Sequence, residues 1–413
     1  MIKLLLLLFI ITFIFITVTF SQDSTSKFIF TNSKDKNDSV LATFRNEQSE
    51  WFRNSEIPSF VFSGQGGRFS LGIGGYVNLT SSYDFDGIVD DIDFVTYDIR
   101  IPQVPYEKQQ YQIYANTSLL YFKVIQKISE KKLIAYISAY FRGIDNTFVL
   151  FQAYAKYYGF EIGQNWSSFA DIASWPTTVN YLGLNSMSEV LNPLIRYSYK
   201  FKKEWEAGIS LEKPNFETDF ENTENIKQRV PDIPLFFRYK FGESHIRISG
   251  IYRNLLYRDT VNNENESETG AGVLLTGNIK ASDSFKFYFN AIYGEGIGNY
   301  VEDLSSDKIN VYPDSGNPGK LNALPVYAYF GALQYNYNQD LFASVMYSRV
   351  KAQPKNISIP DFYSNAKQFT GNIFWNFLPA AQLGVEYCFG KRTNQNGADA
   401  SANRGELMLQ YNF

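Results

Sequence analysis

From Arg68 to Phe413 the chain alternates with period two, one parity apolar or aromatic and the other polar, charged or small. Successive side chains of a β-strand point to opposite faces, so this pattern dictates strands with one greasy and one wet face. Ile246, Ile248, Gly250 and Tyr252 stand against His245, Arg247, Ser249 and Arg253, and Phe285, Phe287, Phe289, Ala291 and Tyr293 against Lys286, Tyr288 and Asn290. Likewise Trp205, Ala207, Ile209 and Leu211 oppose Glu206, Ser210 and Glu212, while Leu383, Val385, Tyr387 and Phe389 oppose Gln382, Glu386 and Cys388. A chain built of two-faced strands must place every greasy face against something other than water.

Sixteen such segments can be marked, the first near 68–83 and the last near 403–413. Their junctions alternate. Those at 126–130, 202–203, 242–243, 282–283, 338–339 and 378–379 are tight, whereas the intervening ones are mostly long and rich in Asn, Asp, Gly and Pro. A soluble sandwich mixes its connection lengths and uses strands of about 5–6 residues. An even strand number with tight turns at one end predicts an all-β transmembrane antiparallel β-barrel of 16 strands, with short periplasmic turns and long extracellular loops. In hydrocarbon no water reaches the backbone, so the sheet must close and leave no edge. Lipid also accounts for an aromatic content of 17%, and Tyr327, Tyr329, Tyr335 and Tyr337 share one parity at the two ends of one strand, as interfacial girdles require. The net charge of −4 supplies no basic surface for phosphates, so nucleic acid is not an expected partner.

Residues 1–21 read as a secretory signal peptide: Lys3 precedes an apolar run over 4–18, and Thr19 and Ser21 are small residues before Gln22. The alternative is an uncleaved anchor, because the run approaches the roughly 18 residues that span a bilayer. Export through the periplasm to the bacterial outer membrane follows from the two signals together. Residues 22–67, rich in Ser, Asn, Asp and Lys, predict a largely flexible periplasmic N-terminal arm, and 68–413 the barrel. Within the arm Leu41, Phe44, Gln48 and Trp51 fall at heptad-like spacing, long enough for a short docking helix or a minimal coiled coil. The last strand places Leu407, Leu409, Tyr411 and Phe413 on one face and resembles the signal read by the outer-membrane barrel assembly machinery.

A single cysteine, Cys388, and a single histidine, His245, exclude disulfide frameworks and Cys/His zinc sites, and no cofactor is expected. Any catalytic triad would run through His245, which follows the tight turn at 242–243 and so belongs at the periplasmic end. An outer-membrane lipase or protease barrel and a non-conducting structural barrel are the alternatives to a pore. Asp84, Asp86, Asp90, Asp91 and Asp93 form an oxygen-rich loop, a solvated cluster or a calcium site.

The 167–192 junction carries Phe169, Ile172, Trp175, Val179, Tyr181, Leu182 and Leu184 in quick succession, too apolar for a loop facing the medium. It predicts one loop folded into the lumen, with Trp166, Phe169, Asp171, Trp175 and Tyr181 at the constriction; an outer loop at a subunit interface is the alternative. Strand parity turns Arg142, Arg196, Lys200, Arg238, Lys240, Arg247 and Arg253 inward, together with Glu161, Glu206, Glu212, Glu386 and Glu406. Arginine binds carboxylates bidentately, and cations facing acids across a pore set up a transverse field. Arg142, Arg196, Arg238, Arg247, Arg253, Glu206 and Glu386 are therefore the expected pore-lining residues, unless these charges merely pair with one another. Passive, moderately selective diffusion of small hydrophilic, anionic solutes across the outer membrane is the expected function.

Several stretches carry a family likeness: IPSFVFSG with SLGIGGYVNL (57–64, 70–79), GQNWSSFAD with TVNYLG (163–171, 178–183), PLIRYSY (193–199), YGEGIGNY (293–300), LGVEYCFGKR and RGELMLQYNF. On these the chain resembles the DcaP-like porins. The resemblance implies a sixteen-stranded trimeric outer-membrane channel for small organic anions such as dicarboxylates. It also implies basic pore residues ahead of Gln152, where FVLFQAYAKYY (148–158) has none.

Overall fold

The computed structural model describes residues 27–30, 39–64, 67–87, 92–305, 309–357 and 359–413; the segment 1–21, expected as a signal peptide, lies outside them. At the N-terminal side stand β1 (Lys27–Phe30), helix α1 (Ser39–Arg45) and β2 (Phe60–Gly64). The barrel wall opens with β3 (Phe69–Asp86), followed by one strand in two pieces, β4 (Gln110–Tyr114) and β5 (Leu119–Ile128), both paired to β3. Then come β6 (Lys131–Tyr140), β7 (Val149–Tyr157), β8 (Phe160–Trp166), β9 (Leu191–Lys200) and β10 (Trp205–Glu212). Past the short β11 (Thr223–Asn225) run β12 (Ile233–Phe241), β13 (Ser244–Asp259), β14 (Glu264–Lys280) and β15 (Phe285–Glu295). The next connection holds α2 (Glu302–Ser305) and the small hairpin β16 (Val311–Pro313) and β17 (Leu321–Ala323). The wall ends with β18 (Pro325–Asn336), β19 (Leu341–Ala352), β20 (Tyr363–Leu378), β21 (Ala381–Asn394) and β22 (Asp399–Asn412).

All pairings are antiparallel, and β22 returns to β3 with Leu409 opposite Leu79, which closes the barrel at sixteen strands. The greasy parity faces out: Ile248, Phe287 and Val385 are 52%, 48% and 49% exposed, whereas Arg247 and Glu386 on the opposite parity are 8% and 2% exposed. That inversion of soluble-protein burial is what lipid as solvent demands. Aromatics cluster at both rims of the outer face, Tyr293 on Tyr327 at 4.7 Å near one end and Phe285 on Tyr335 at 5.1 Å near the other. Two connections expected as long loops are hairpins instead. β13 and β14 stay paired to Asp259 opposite Glu264, and β21 and β22 to Thr393 opposite Asp399. Ladder hydrogen bonds need no apolar face, so pairing continues past the membrane where side chains turn polar.

The wall is uneven in height. From β6 to β10 the strands have 10, 9, 7, 10 and 8 residues, while β13 and β14 have 16 and 17 and β20 has 16.

Residues 39–64 of the segment expected as a largely flexible arm are seated in the periplasmic mouth. The reason is apolar: Leu41 and Phe44 of α1 are buried with Val61 of β2 against Ile125 and Ile134 on the inner wall. Gly72 makes room, since a Cβ there would lie 2.5 Å from Pro58 and 2.8 Å from Phe44. Strand β2 pairs with β3 from Phe60 opposite Ile73 to Gly64 opposite Phe69, extending the wall below the end of β22.

Candidate functional site

The 167–190 segment leaves β8 and re-enters β9 through a closed base, Ser167 N donating to Val190 O at 2.8 Å. Between these points it crosses the interior and is pinned to the far wall by inward side chains. Asp171 accepts Thr276 Oγ1 at 2.6 Å and lies 2.7 Å from His245 Nε2. Asn278 donates to Ala173 O at 2.6 Å, Asn372 to Thr177 O at 2.9 Å, and Asn290 to Ser186 O at 2.7 Å. The carboxylate of Glu386 receives the backbone N–H groups of Val179 and Asn180 at 3.0 and 2.9 Å, and Gln368 receives that of Asn185 at 2.8 Å. A loop held away from bulk water must find partners for its backbone, and polar residues on β13–β15, β20 and β21 supply them.

The aromatic residues of the segment pack inside as well. Trp166 and Trp175 meet edge to face at 5.0 Å, and Phe169 meets Tyr300 at 5.6 Å. Tyr181 lies between two guanidiniums, Arg142 at 4.3 Å and Arg53 at 5.0 Å from its ring centre. A second connection, 296–324, covers this loop from the extracellular side: Glu302 N and Asp303 N donate to Met187 O and Asn185 O, each at 2.9 Å. Gly296, with φ +66, starts that infolding. Between the two connections a cavity of about 160 Å³ remains, lined by Glu189, Asn192, Asn215, Asn299, Tyr300 and Ser305.

Each arginine named from the sequence has an acid beside it. Arg142 pairs with Asp93, Arg196 lies 3.5 Å from Glu161, Arg238 2.6 Å from Glu50, Arg247 3.8 Å from Asp171 and Arg253 3.0 Å from Asp232. Their settings differ. Arg253 is fully buried and also binds Gly296 O, Asn310 and Asn215 O, so it staples the outer connections together and does not face a passage. Arg196 and Arg247 both donate to the base of the crossing loop, to Trp166 O and Ser168 O. Arg238 stands opposite Arg247 and Glu206 in register, and Glu206 stands opposite Lys200. Glu386, expected as a pore acid, is a docking post for the loop.

The remaining candidates take structural partners. Asp84 makes a two-pronged pair with Arg404 at 2.6 and 3.0 Å and Asp86 lies 3.1 Å from Lys108, while Asp90 and Asp91 fall outside the described residues. Cys388 is a buried free thiol, its Sγ 3.5 Å from a Glu386 oxygen.

Sequence reading missed what the arm brings to the interior. Trp51 packs on Phe151 and Trp166 at 5.5 and 5.9 Å. Arg53 donates to the carbonyls of Asn180 and Tyr181, Asn54 to Tyr136 Oη at 3.1 Å, and Glu56 pairs with Lys123 at 2.7 Å. The available signal was EWFRNSE, an aromatic pair among charges within an otherwise polar stretch.

The family model for the DcaP outer membrane protein matches residues 67–413. The chain belongs to the DcaP outer membrane protein family. It is similar to the crystallised outer membrane channel DcaP of Acinetobacter baumannii, with TM-score 0.75 and 20% identity, over 85% of this chain and 99% of that one. An anion-selective porin from Comamonas acidovorans shares the fold at TM-score 0.59 and 11% identity, over 84% of this chain and 100% of that one. Salmonella typhi OmpF in complex with daunomycin follows at TM-score 0.53 and 13% identity, over 85% and 99%. No curated protein matches in sequence. This DcaP-family chain is thus a bacterial outer-membrane channel of the porin type.

Proposed function

We propose that the channel passes small hydrophilic solutes passively and prefers organic anions, dicarboxylates among them. The observation that carries this reading is Arg238 directly opposite Arg247 on β12 and β13, with Lys240 two residues along and Arg196 bound to the same loop base as Arg247. Like charges in register repel, so such a patch favours an anion between or beside them. Of the acids near it, Glu50 and Asp171 come from the arm and the crossing loop, segments laid onto the wall. The passage a solute meets therefore has a basic patch on the wall, balanced in part by the wall acids Glu206 and Glu161 and in part by acids that the arm and the loop lay onto it. Net negative charge elsewhere does not oppose this, because charges beyond about 8–10 Å are screened in physiological salt.

Assembly as a homotrimer belongs to the same reading. The seven residues of β8, at about 3.3 Å each and tilted about 45°, rise only about 16 Å, less than the apolar band of about 25 Å that lipid requires. Neighbouring subunits, not lipid, would cover so low a wall.

The reading is tested in planar bilayers with asymmetric salt. Replacing Arg196, Arg238 and Arg247 together by Gln is expected to move the reversal potential toward cations and to weaken block by succinate. An unchanged potential would reduce these arginines to paired wall residues and leave an unselective channel.

A further inference from the structure

Glu50 is a carboxylate placed on the channel wall by a segment that is no part of that wall. Its Oε2 lies 2.6 Å from Arg238 and its Oε1 2.7 Å from Nζ of Lys240, two inward residues of β12 separated by one outward neighbour. Each oxygen takes one cation, the arrangement that suits a bidentate anion. Across the strand pair Arg247 stands opposite Arg238, and the acids that would remain near the clamp without Glu50 are Glu206, in register with Arg238, and Asp171, 3.8 Å from Arg247, so Arg238 and Lys240 would lose the carboxylate that bridges them. A further donor remains: Arg238 Nε is buried and makes no hydrogen bond. Burial pushes the Glu50 carboxyl up, but Arg238 and Lys240 outweigh it and hold it down at about 2. The side chain is nevertheless 41% exposed, open on one flank to the periplasmic mouth.

We propose that Arg238 and Lys240 form a carboxylate-binding subsite at the periplasmic mouth, that the chain's own Glu50 occupies it, and that a solute carboxylate takes it by displacing Glu50 and with it the arm. The choice of solute rests on the anion-selective reading above; the clamp itself does not. Exchange of one carboxylate for another leaves no cation bare, so electrostatics hardly oppose it, whereas chloride cannot bridge the two cations and is discriminated against. Arg53 and Trp51, three and one residues along, then leave with Glu50 and release the crossing loop at Asn180 and Tyr181.

Two measurements on the full chain test this. In bilayers, occupancy of the clamp by Glu50 weakens the apparent affinity of succinate by the fraction of time the clamp is free, so Glu50→Gln is expected to lower the succinate concentration for half block about tenfold. The Arg238→Gln, Lys240→Gln double variant is expected to lose that block, and Glu50→Gln added to it to change nothing further. In detergent, trypsin reaches Arg53 only when the arm has left the mouth; cleavage there is expected to accelerate with succinate in the natural chain and to be fast without succinate in Glu50→Gln. Cleavage indifferent to both succinate and Glu50→Gln overturns the clamp, whatever the selectivity. Fast cleavage in Glu50→Gln without any succinate effect on the natural chain overturns the displacement by solute and shows a purely internal tether. Should the natural channel prove cation-selective while both cleavage results hold, the anion preference falls and the clamp stands.

Discussion

The two sides of the barrel obey different rules. On the tall side, β13–β15 and β18–β22, outward positions hold large apolar residues such as Val345, Phe369 and Ile373, all about half exposed. On the low side, β6 and β7 turn Ala135, Ala153 and Ala155 outward, with Ala135 opposite Ala155 in register. Large outward side chains fill space among fluid acyl chains, while a patch of alanines makes a flat surface that a rigid neighbour can approach closely. Inside, the sides differ again: the crossing loop springs from the low wall at β8 and β9 and is received by polar side chains on the tall one. Wall height and the root of the loop thus vary together, while outward side-chain size drops only at the alanines of β6 and β7, since Ile162, Ile195 and Ile209 on β8–β10 are as large and exposed as their counterparts on the tall side.

The contrast can be broken most drastically on the low wall. Ala155→Arg is expected to break up the proposed trimer into monomers, read by native electrophoresis or light scattering. Val345→Arg on the tall wall should leave the oligomer intact and lower barrel stability by about 2–4 kcal/mol, the cost of arginine near the bilayer midplane. Equal effects from the two changes would erase the distinction. Next in size, deletion of 174–185 is expected to raise single-channel conductance severalfold while assembly persists. A conductance near that of the natural chain would mean that the loop does not limit the passage.

Removing one receiving post should act in the same direction and more weakly. Glu386→Ala leaves the N–H groups of Val179 and Asn180 without their acceptor, at about 1–3 kcal/mol for each unpaired donor. Added current noise from a looser loop, with the average conductance little changed, is the expected record. The smallest effect concerns Glu302 in the outer connection. Its burial, with Asp93 and Asp303 nearby, pushes the carboxyl up from 4.5 to about 8. The folded connection therefore keeps a proton that the unfolded one releases, and it loses stability as pH rises from 4.5 to about 8, with no further loss above that. Protection of residues 298–304, measured relative to the intrinsic exchange rate at each pH, should fall over that interval, and Glu302→Gln should leave only the lower-pH part due to Asp303, whose carboxyl burial pushes up to about 6.

Much of this was legible in the chain because lipid imposes a rule that every strand must obey. The parity of Ile248 against Arg247 and the tight turn at 242–243 state strand and end directly. Phe169, Trp175 and Tyr181 marked the crossing loop, since no loop facing water needs them. Other features depend on partners that no periodicity encodes. Arg253 has the same parity as Arg247, yet connections 213–232 and 296–324 fold over one and not the other. Glu50 and Arg53 looked like ordinary charges of a polar arm until Leu41 and Phe44 had a wall to rest on. Parity tells which way a side chain points; it does not tell what has been laid on top of it.

The pairing of β22 with β3 carries a consequence for the order of events during biogenesis. On the edge away from β4 and β5, Tyr76–Asp86 can find its hydrogen-bond partners only when the C-terminal strand has been delivered, since Leu79 waits for Leu409. Until then the growing sheet keeps two open edges, the last contacts to form are the most distant along the chain, and slow folding with a standing risk of edge-to-edge association follows. β2 can pair early with Phe69–Ile73 on that same edge, because it is a near neighbour in sequence. Part of the first strand is thereby guarded while the remainder of the barrel is still being made.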